Sequence, residues 1–77
     1  PGWLLRMPQR LRVVAGMPCL DGRLTLLDGP ERIEGGWWDS ADVARDYYIA
    51  CQRSGQRLWI YQERRPGAGW YLHGLFA

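Results

Sequence analysis

The sequence contains no lysine, so all ten of its basic residues are arginines. Two explanations are open. The exclusive use of arginine reflects either the coding bias of a GC-rich genome or a need for planar, bidentate recognition of carboxylate or phosphate groups, for which arginine is better suited than lysine. The net charge of +2 is too small to indicate a nucleic-acid-binding protein by itself.

The charges are unevenly distributed along the chain. Residues 1–23 carry four arginines and one acidic residue, residues 24–50 carry two arginines and six acidic residues, and residues 51–77 carry four arginines and one acidic residue. If the two ends of the chain meet in the fold, they would form a basic face beside an acidic one, although ordinary solvated surfaces have similar patterns.

Cysteine and histidine are scarce, with two cysteines and one histidine. Cys19 and Cys51 have neither CxxC spacing nor the density of a disulfide scaffold, which predicts reduced thiols. Together with His73 they are too few and too far apart to form a metal site. His73 lies between Leu72 and Gly74 in a predicted strand and is interpreted as a structural histidine rather than a catalytic base.

Motifs of known catalytic sites are also missing, since no GxSxG, P-loop or GxGxxG sequence occurs. Asp39, Asp42 and Asp46 lack the glycine and the terminal glutamate of a calcium loop, and they are interpreted as a solvated turn. We therefore predict that the chain is not an enzyme and has no catalytic residues, no cofactor, no metal and no small-molecule substrate.

Long apolar runs are absent, because no segment approaches the roughly 18 apolar residues of a membrane span. The start Pro1-Gly2-Trp3 lacks the charged and apolar regions of a signal peptide. These features predict a cytoplasmic protein with no membrane partner. Because the first residue is a proline and not a methionine, the chain is expected to be a fragment or domain of a longer protein.

Helix signals are weak, because ten glycines and five prolines interrupt the sequence every few residues. Strands are predicted over residues 3–7, 10–15, 23–27, 31–38, 45–52, 57–64 and 70–76. Pro8 and the turn at residues 28–30 are expected to end two of them, and Gly35-Gly36 suggests a bulge. The prediction is an all-β fold with little or no helix: one domain over residues 1–77, with its core in 22–77 and a less certain edge-strand or linker segment in 1–21.

The last three predicted strands are joined by two short loops and form an antiparallel meander. In the central strand, Leu58 and Ile60 point to one face while Trp59 and Tyr61 point to the other, so both faces hold apolar side chains. A sheet with one face in water would not need this pattern. Either the small sheet curls into a partly open barrel or sandwich, or a partner covers one face.

Aromatic residues alternate with arginines along two of these strands. Single-strand binders stack bases on aromatic rings and hold phosphates with guanidinium groups, which indicates a possible single-stranded DNA surface made of Arg45, Tyr48, Trp59 and Arg65. The run at 57–64 does not match the aromatic motif of RNA-binding sheets. In so small a domain, most aromatic rings are also needed for the core.

Residues 22–77 contain a specific combination of motifs. These are Gly29-Pro30-Glu31-Arg32-Ile33-Glu34, Gly36-Trp37-Trp38-Asp39, Arg45-Asp46-Tyr47-Tyr48, Leu58-Trp59-Ile60-Tyr61, Glu63-Arg64, and Trp70 followed by Leu72-His73-Gly74-Leu75-Phe76. The combination resembles the extreme C-terminal region of ImuB-type proteins, which are catalytically degenerate relatives of Y-family translesion polymerases in bacterial damage-inducible mutagenesis cassettes. Ser40 stands where that pattern commonly has glycine, and Gln62 where it commonly has arginine.

The resemblance implies a scaffold in SOS mutagenesis and DNA repair. ImuB-like proteins bridge the sliding clamp, a RecA-like accessory protein and an error-prone replicative-type DNA polymerase, and their C-terminal part is associated with partner binding. Within such a scaffold, the role expected for this module is to bind the polymerase or the RecA-like protein. The partner-binding residues predicted for this role are Trp37, Trp38, Trp59, Tyr61, Arg64 and Arg65.

The sequence therefore supports three hypotheses: a protein-interaction module, a single-stranded DNA module, and a purely structural cap in which the aromatic residues only contribute packing. The exposure of the tryptophans separates the third from the first two, because an exposed tryptophan is costly for a monomer and points to a partner.

Overall fold

The computed structural model describes residues 2–34, 44–65, 67 and 69–77. Within them the strands are β1 (Trp3–Arg10), β2 (Arg12–Val14), β3 (Met17–Cys19), β4 (Thr25–Glu34), β5 (Ala44–Cys51), β6 (Arg57–Glu63) and β7 (Trp70–Leu75). The predicted all-β fold is confirmed. The Gly35-Gly36 bulge and the turn at residues 39–42 lie outside the described residues. In the described part of the chain, no helix is long and apolar enough to cross a membrane.

The main sheet has the strand order β1-β7-β6-β5-β4 and is antiparallel throughout. Strands β5, β6 and β7 form the predicted meander, with β4 added beside β5 and β1 added beside β7. The segments from the two ends of the chain therefore lie side by side. Among the described strands β1 and β4 are edges, so the sheet is open and is not closed into a barrel.

The predicted end of the first strand at Pro8 is wrong, because β1 continues to Arg10. Its pairing with β7 shifts register between Leu4 and Gln9. Pro8 lies inside this irregular stretch of an edge strand, where the missing N–H group removes no regular ladder hydrogen bond.

The predicted break at residues 28–30 is also wrong, because β4 runs without interruption through Asp28, Gly29 and Pro30. Two register shifts against β5, between Leu26 and Asp28 and between Asp28 and Glu31, take up the extra residues as bulges. Glycine and proline are tolerated there because β4 is an edge strand.

Strands β2 and β3 form a separate hairpin. Its two turn residues, Ala15 and Gly16, both have positive φ angles of 52° and 79°, as a two-residue type I′ turn requires. Just before the hairpin, the Leu11 N–H donates a hydrogen bond of 2.8 Å to the Trp70 carbonyl. This contact holds the start of the hairpin against the main sheet.

The buried core lies on one face of the main sheet, which we call the core face. Its cluster consists of Leu11, Leu24, Ala50, Leu58, Ile60, Trp70 and Leu72. Leu11 and Leu24 come from the segments that flank the hairpin, and they cover side chains from the meander. Leu58 and Ile60 have no exposed surface, which agrees with their predicted position on one face of β6.

Candidate functional site

The face opposite the core carries a cluster of rings, which we call the aromatic face. It consists of Arg45, Tyr47, Trp59, Tyr61, Tyr71 and His73. The strand register creates it: Tyr47 pairs with Tyr61, which pairs with Tyr71 on the next strand. Because side chains alternate between the faces of a sheet, residues in register share a face.

The rings of the aromatic face are in direct contact. Trp59 stacks on Tyr47 at a centroid distance of 4.2 Å and on His73 at 5.0 Å, with an angle of only 9° between the Trp59 and His73 planes. Tyr61 stacks on Tyr71 at 5.2 Å. These separations fall in the range in which aromatic pairs add about 0.5–1.5 kcal/mol beyond the burial of their surface.

Burial divides the cluster into an inner and an outer set. Tyr47 and Tyr61 are 4% and 2% exposed, whereas Trp59, Tyr71 and His73 are only partly buried. The inner tyrosines therefore act as packing material, and the outer rings are the surfaces that a ligand could reach.

A hydrogen-bond chain crosses the aromatic face. The Arg45 guanidinium donates to the Tyr47 hydroxyl at 3.2 Å, and this hydroxyl is 2.8 Å from Nδ1 of His73. Burial and repulsion by Arg45 lower the pKa of His73, which favours the neutral imidazole. In the tautomer whose Nδ1 carries no proton, the Tyr47 hydroxyl donates to Nδ1.

Arg45 also lies over the ring of Tyr61, with 4.4 Å between the guanidinium carbon and the ring centroid. This is within the range of a cation–π interaction. Burial raises the pKa of Tyr61 above its ordinary value of 10, so the ring stays neutral beneath the cation. The aromatic face thus presents one fixed positive charge among partly exposed rings.

The structure brings together some of the predicted site residues. Trp59, Tyr61 and Arg45 share the aromatic face, with Tyr61 in its inner, buried set. Tyr48, predicted to contact DNA with Arg45 and Trp59, lies apart from them: it packs against the core cluster, with its ring centroid 5.2 Å from that of Trp70. Trp37 and Trp38 lie outside the described residues.

The predicted arginines Arg64 and Arg65 are exposed and held by acidic neighbours. Arg64 donates a hydrogen bond of 3.1 Å to the Asp46 carboxylate, and the same carboxylate accepts a hydrogen bond of 3.3 Å from Arg32. Arg65 bonds Glu63 at 2.8 Å. These ion pairs orient both guanidinium groups beside the end of β6 while leaving much of their surface in solvent.

Sequence reasoning missed three members of the aromatic face: Tyr47, Tyr71 and His73. Tyr47 could have been found from alternation alone, because Tyr47 and Tyr48 must point to opposite faces of β5. Tyr71 and His73 could not, since their positions depend on the register of β7 and on its irregularity opposite Trp59 and Ile60.

Among known proteins, this chain shows sequence similarity to individual proteins but matches no protein-family model, and no solved structure matches it significantly. Protein ImuB of Caulobacter vibrioides (strain NA1000 / CB15N) is 33% identical over 66 residues, and so is Protein ImuB of strain ATCC 19089 / CIP 103742 / CB 15. Each alignment covers 70% of this chain and 14% of the relative. The chain thus spans about one seventh of these relatives, and the similarity supports an ImuB-related region.

Proposed function

We propose that this chain is a non-catalytic docking module of a damage-inducible mutagenesis scaffold. Its aromatic face binds a protein partner, either an error-prone replicative-type DNA polymerase or a RecA-like accessory protein. Two lines of support meet here: the similarity to Protein ImuB, and a cluster of rings on the sheet face opposite the buried core. The proposed role in translesion synthesis follows from the first, and the proposed surface from the second.

The observation that carries the proposal is the position of Trp59. The core cluster on the core face consists of aliphatic side chains and Trp70. The core therefore does not require a tryptophan at position 59, on the opposite face. Trp59 nevertheless lies on the aromatic face, partly exposed and stacked against both Tyr47 and His73. A rigid, partly exposed tryptophan beside an arginine has the composition of an interface hot spot.

Arg64 and Arg65 supply a charged rim in this proposal. Both are exposed, and their ion pairs with Asp46 and Glu63 hold them in place. Rim charges change association rates and partner choice more than affinity, so we expect them to be secondary to Trp59. The contacts predicted for Trp37 and Trp38 remain predictions.

The test is co-purification of this chain with the polymerase and with the RecA-like protein, each separately, followed by measurement of the dissociation constant. Trp59→Ala is expected to weaken one of the two complexes by about 30-fold, the equivalent of a hot spot of about 2 kcal/mol. The comparison variant is Trp3→Ala, since Trp3 is 65% exposed on the edge strand β1; a larger loss of affinity there than at Trp59 would move the docking surface to that edge.

Thermal unfolding of each variant separates loss of binding from loss of folding, because Trp59 is partly buried. Arg64→Glu provides a second variant, whose effect should appear in the association rate and should shrink at high salt. If folded Trp59→Ala binds both partners as tightly as the parent chain, the aromatic face is not the docking surface.

A further inference from the structure

A cleft lies beside the β2–β3 hairpin. It has a volume of about 690 Å³ and is lined by residues from the end of β1 and from the loop between β3 and β4. Three of its lining residues are arginines, Arg10, Arg12 and Arg23, and we call it the arginine cleft. Asp21 is the acidic residue in this lining.

A fourth arginine reaches the rim of the cleft from the loop between β5 and β6. A Cβ atom built on Gly22, which lines the cleft, would lie only 3.2 Å from Nη2 of Arg53 and 3.5 Å from its Cζ. The Arg53 guanidinium therefore rests on the backbone at Gly22. The meeting of these segments brings together charges from both basic ends of the chain.

These four arginines are not neutralised within the described part of the chain. The ion pairs found there use Arg32, Arg64 and Arg65, with Asp46 and Glu63 as their partners. Arg10, Arg12, Arg23 and Arg53 are all classed as exposed and take part in none of those pairs. Each has a planar group of donors suited to bidentate contact with an anion.

Arg10 connects the cleft with the aromatic face. Its guanidinium carbon lies 5.8 Å from the centroid of the Tyr71 ring, and its Nη2 atom lies 3.0 Å from where a Cβ on Gly69 would be. Tyr71 is partly exposed and stacks on Tyr61. One face of the Tyr71 ring therefore lies against Tyr61 and the other lies under Arg10, the arginine at which the cleft meets the aromatic face.

We propose that the arginine cleft binds the phosphate backbone of single-stranded DNA, with the Arg10 guanidinium turning from the Tyr71 ring to a phosphate and one base taking its place on Tyr71. A series of cationic groups that ends at an accessible aromatic ring is the arrangement used by proteins that bind single strands. An acidic peptide would bind through the charges alone, and its binding would not involve the Tyr71 ring beside Arg10. This site goes beyond protein docking, and it is distinct from the set of Arg45, Tyr48, Trp59 and Arg65 predicted from the sequence, which stays a prediction.

The experiment measures fluorescence anisotropy of labelled oligo(dT) with this chain over a range of salt concentrations. The double variant Arg12→Gln/Arg23→Gln is expected to weaken binding at low salt at least about tenfold. It should also reduce the slope of log affinity against log salt by about 0.7 for each lost phosphate contact, or about 1.4 for both. Both side chains are exposed, so the fold should be retained.

The charge-matched control is Arg32→Gln/Arg57→Gln, which removes the same net charge away from the cleft and leaves Arg64 to pair with Asp46. It should keep the parent salt slope. A second variant, Tyr71→Leu, should weaken binding with the slope unchanged, because it removes stacking and no charge.

Three results would overturn the inference. These are no binding of oligo(dT) at low salt, an equal loss in the charge-matched control, and stronger binding of poly-glutamate than of oligo(dT) to the same cleft, which would assign it to an acidic protein. Co-purification with the protein partners should be unaffected by Arg12→Gln/Arg23→Gln. Failure of the DNA site and failure of the docking proposal are therefore distinguishable.

Discussion

Replacing Gly29 with alanine should destabilise the domain strongly, because two costs act at this position. Gly29 has a φ angle of +118°, and holding a non-glycine residue in such a conformation costs about 1–3 kcal/mol. The added Cβ would also lie 2.6 Å from the Tyr47 carbonyl oxygen and 3.1 Å from the Tyr48 Cα. Both are backbone atoms, so β4 and β5 would have to separate.

Overpacking of this kind costs about 1–3 kcal/mol, which gives a total of about 2–6 kcal/mol for Gly29→Ala. A 77-residue domain is expected to have a free energy of unfolding of about 4–12 kcal/mol, so the variant should lose about half of its stability. The midpoint of thermal unfolding should fall by about 4–8 °C for each kcal/mol lost.

The control is Gly55→Ala, in the loop between β5 and β6. Gly55 has a φ angle of +97°, and a Cβ built there would meet no atom within 4 Å. This variant should therefore have only the conformational cost of about 1–3 kcal/mol. Urea unfolding followed by circular dichroism measures both variants. Equal destabilisation by the two substitutions would refute the close approach of β4 to the backbone of Tyr47 and Tyr48.

Two further predictions concern titration and charge. The pKa of His73 is lowered from 6.5 by burial and by Arg45, so the unfolded chain takes up the proton first as the pH falls. The free energy of unfolding should therefore decrease as the pH falls from 6.5 to the folded-state pKa, and it should be fully retained above pH 6.5. In the His73→Gln variant, the urea-unfolding midpoint should vary less with pH across this window. An unchanged pH profile in this variant would contradict a lowered pKa of His73. Asp46→Ala removes the ion pairs with Arg32 and Arg64, whose side chains are 53% and 43% exposed. The free energy of unfolding should fall by about 1 kcal/mol in low salt and by less in high salt. A decrease in stability that does not depend on salt would contradict an electrostatic origin.

The meander was predictable because its signals are local. Alternating side chains and short turn sequences determine where β5, β6 and β7 begin and end, and alternation alone places Leu58 and Ile60 on the face opposite Trp59 and Tyr61. The continuous strand β4 was not predictable from the same signals. Gly29 and Pro30 indicate a break unless the strand is known to be an edge with bulges, and that depends on its pairing with β5.

The candidate site was only partly predictable for the same reason. Trp59 and Arg45 were identified from their residue types, whereas the roles of the arginines depend on contacts between distant segments. Arg64 is paired with Asp46, which lies on a neighbouring strand, while Arg12 and Arg23 meet at a cleft formed by the hairpin. Composition cannot distinguish a paired guanidinium from an unpaired one.

The division of β6 between two faces has a consequence for how this module can diverge among related proteins. Positions 58 and 60 have no solvent exposure and belong to the core cluster, whereas positions 59 and 61 belong to the aromatic face. In the proposed docking role, substitution of the partly exposed Trp59 can alter partner choice without repacking Leu58 and Ile60. Insertion or deletion of a single residue within β6 would exchange the two sets and damage both. The proposed recognition can therefore evolve by replacing side chains, while the length of the central strand must stay constant.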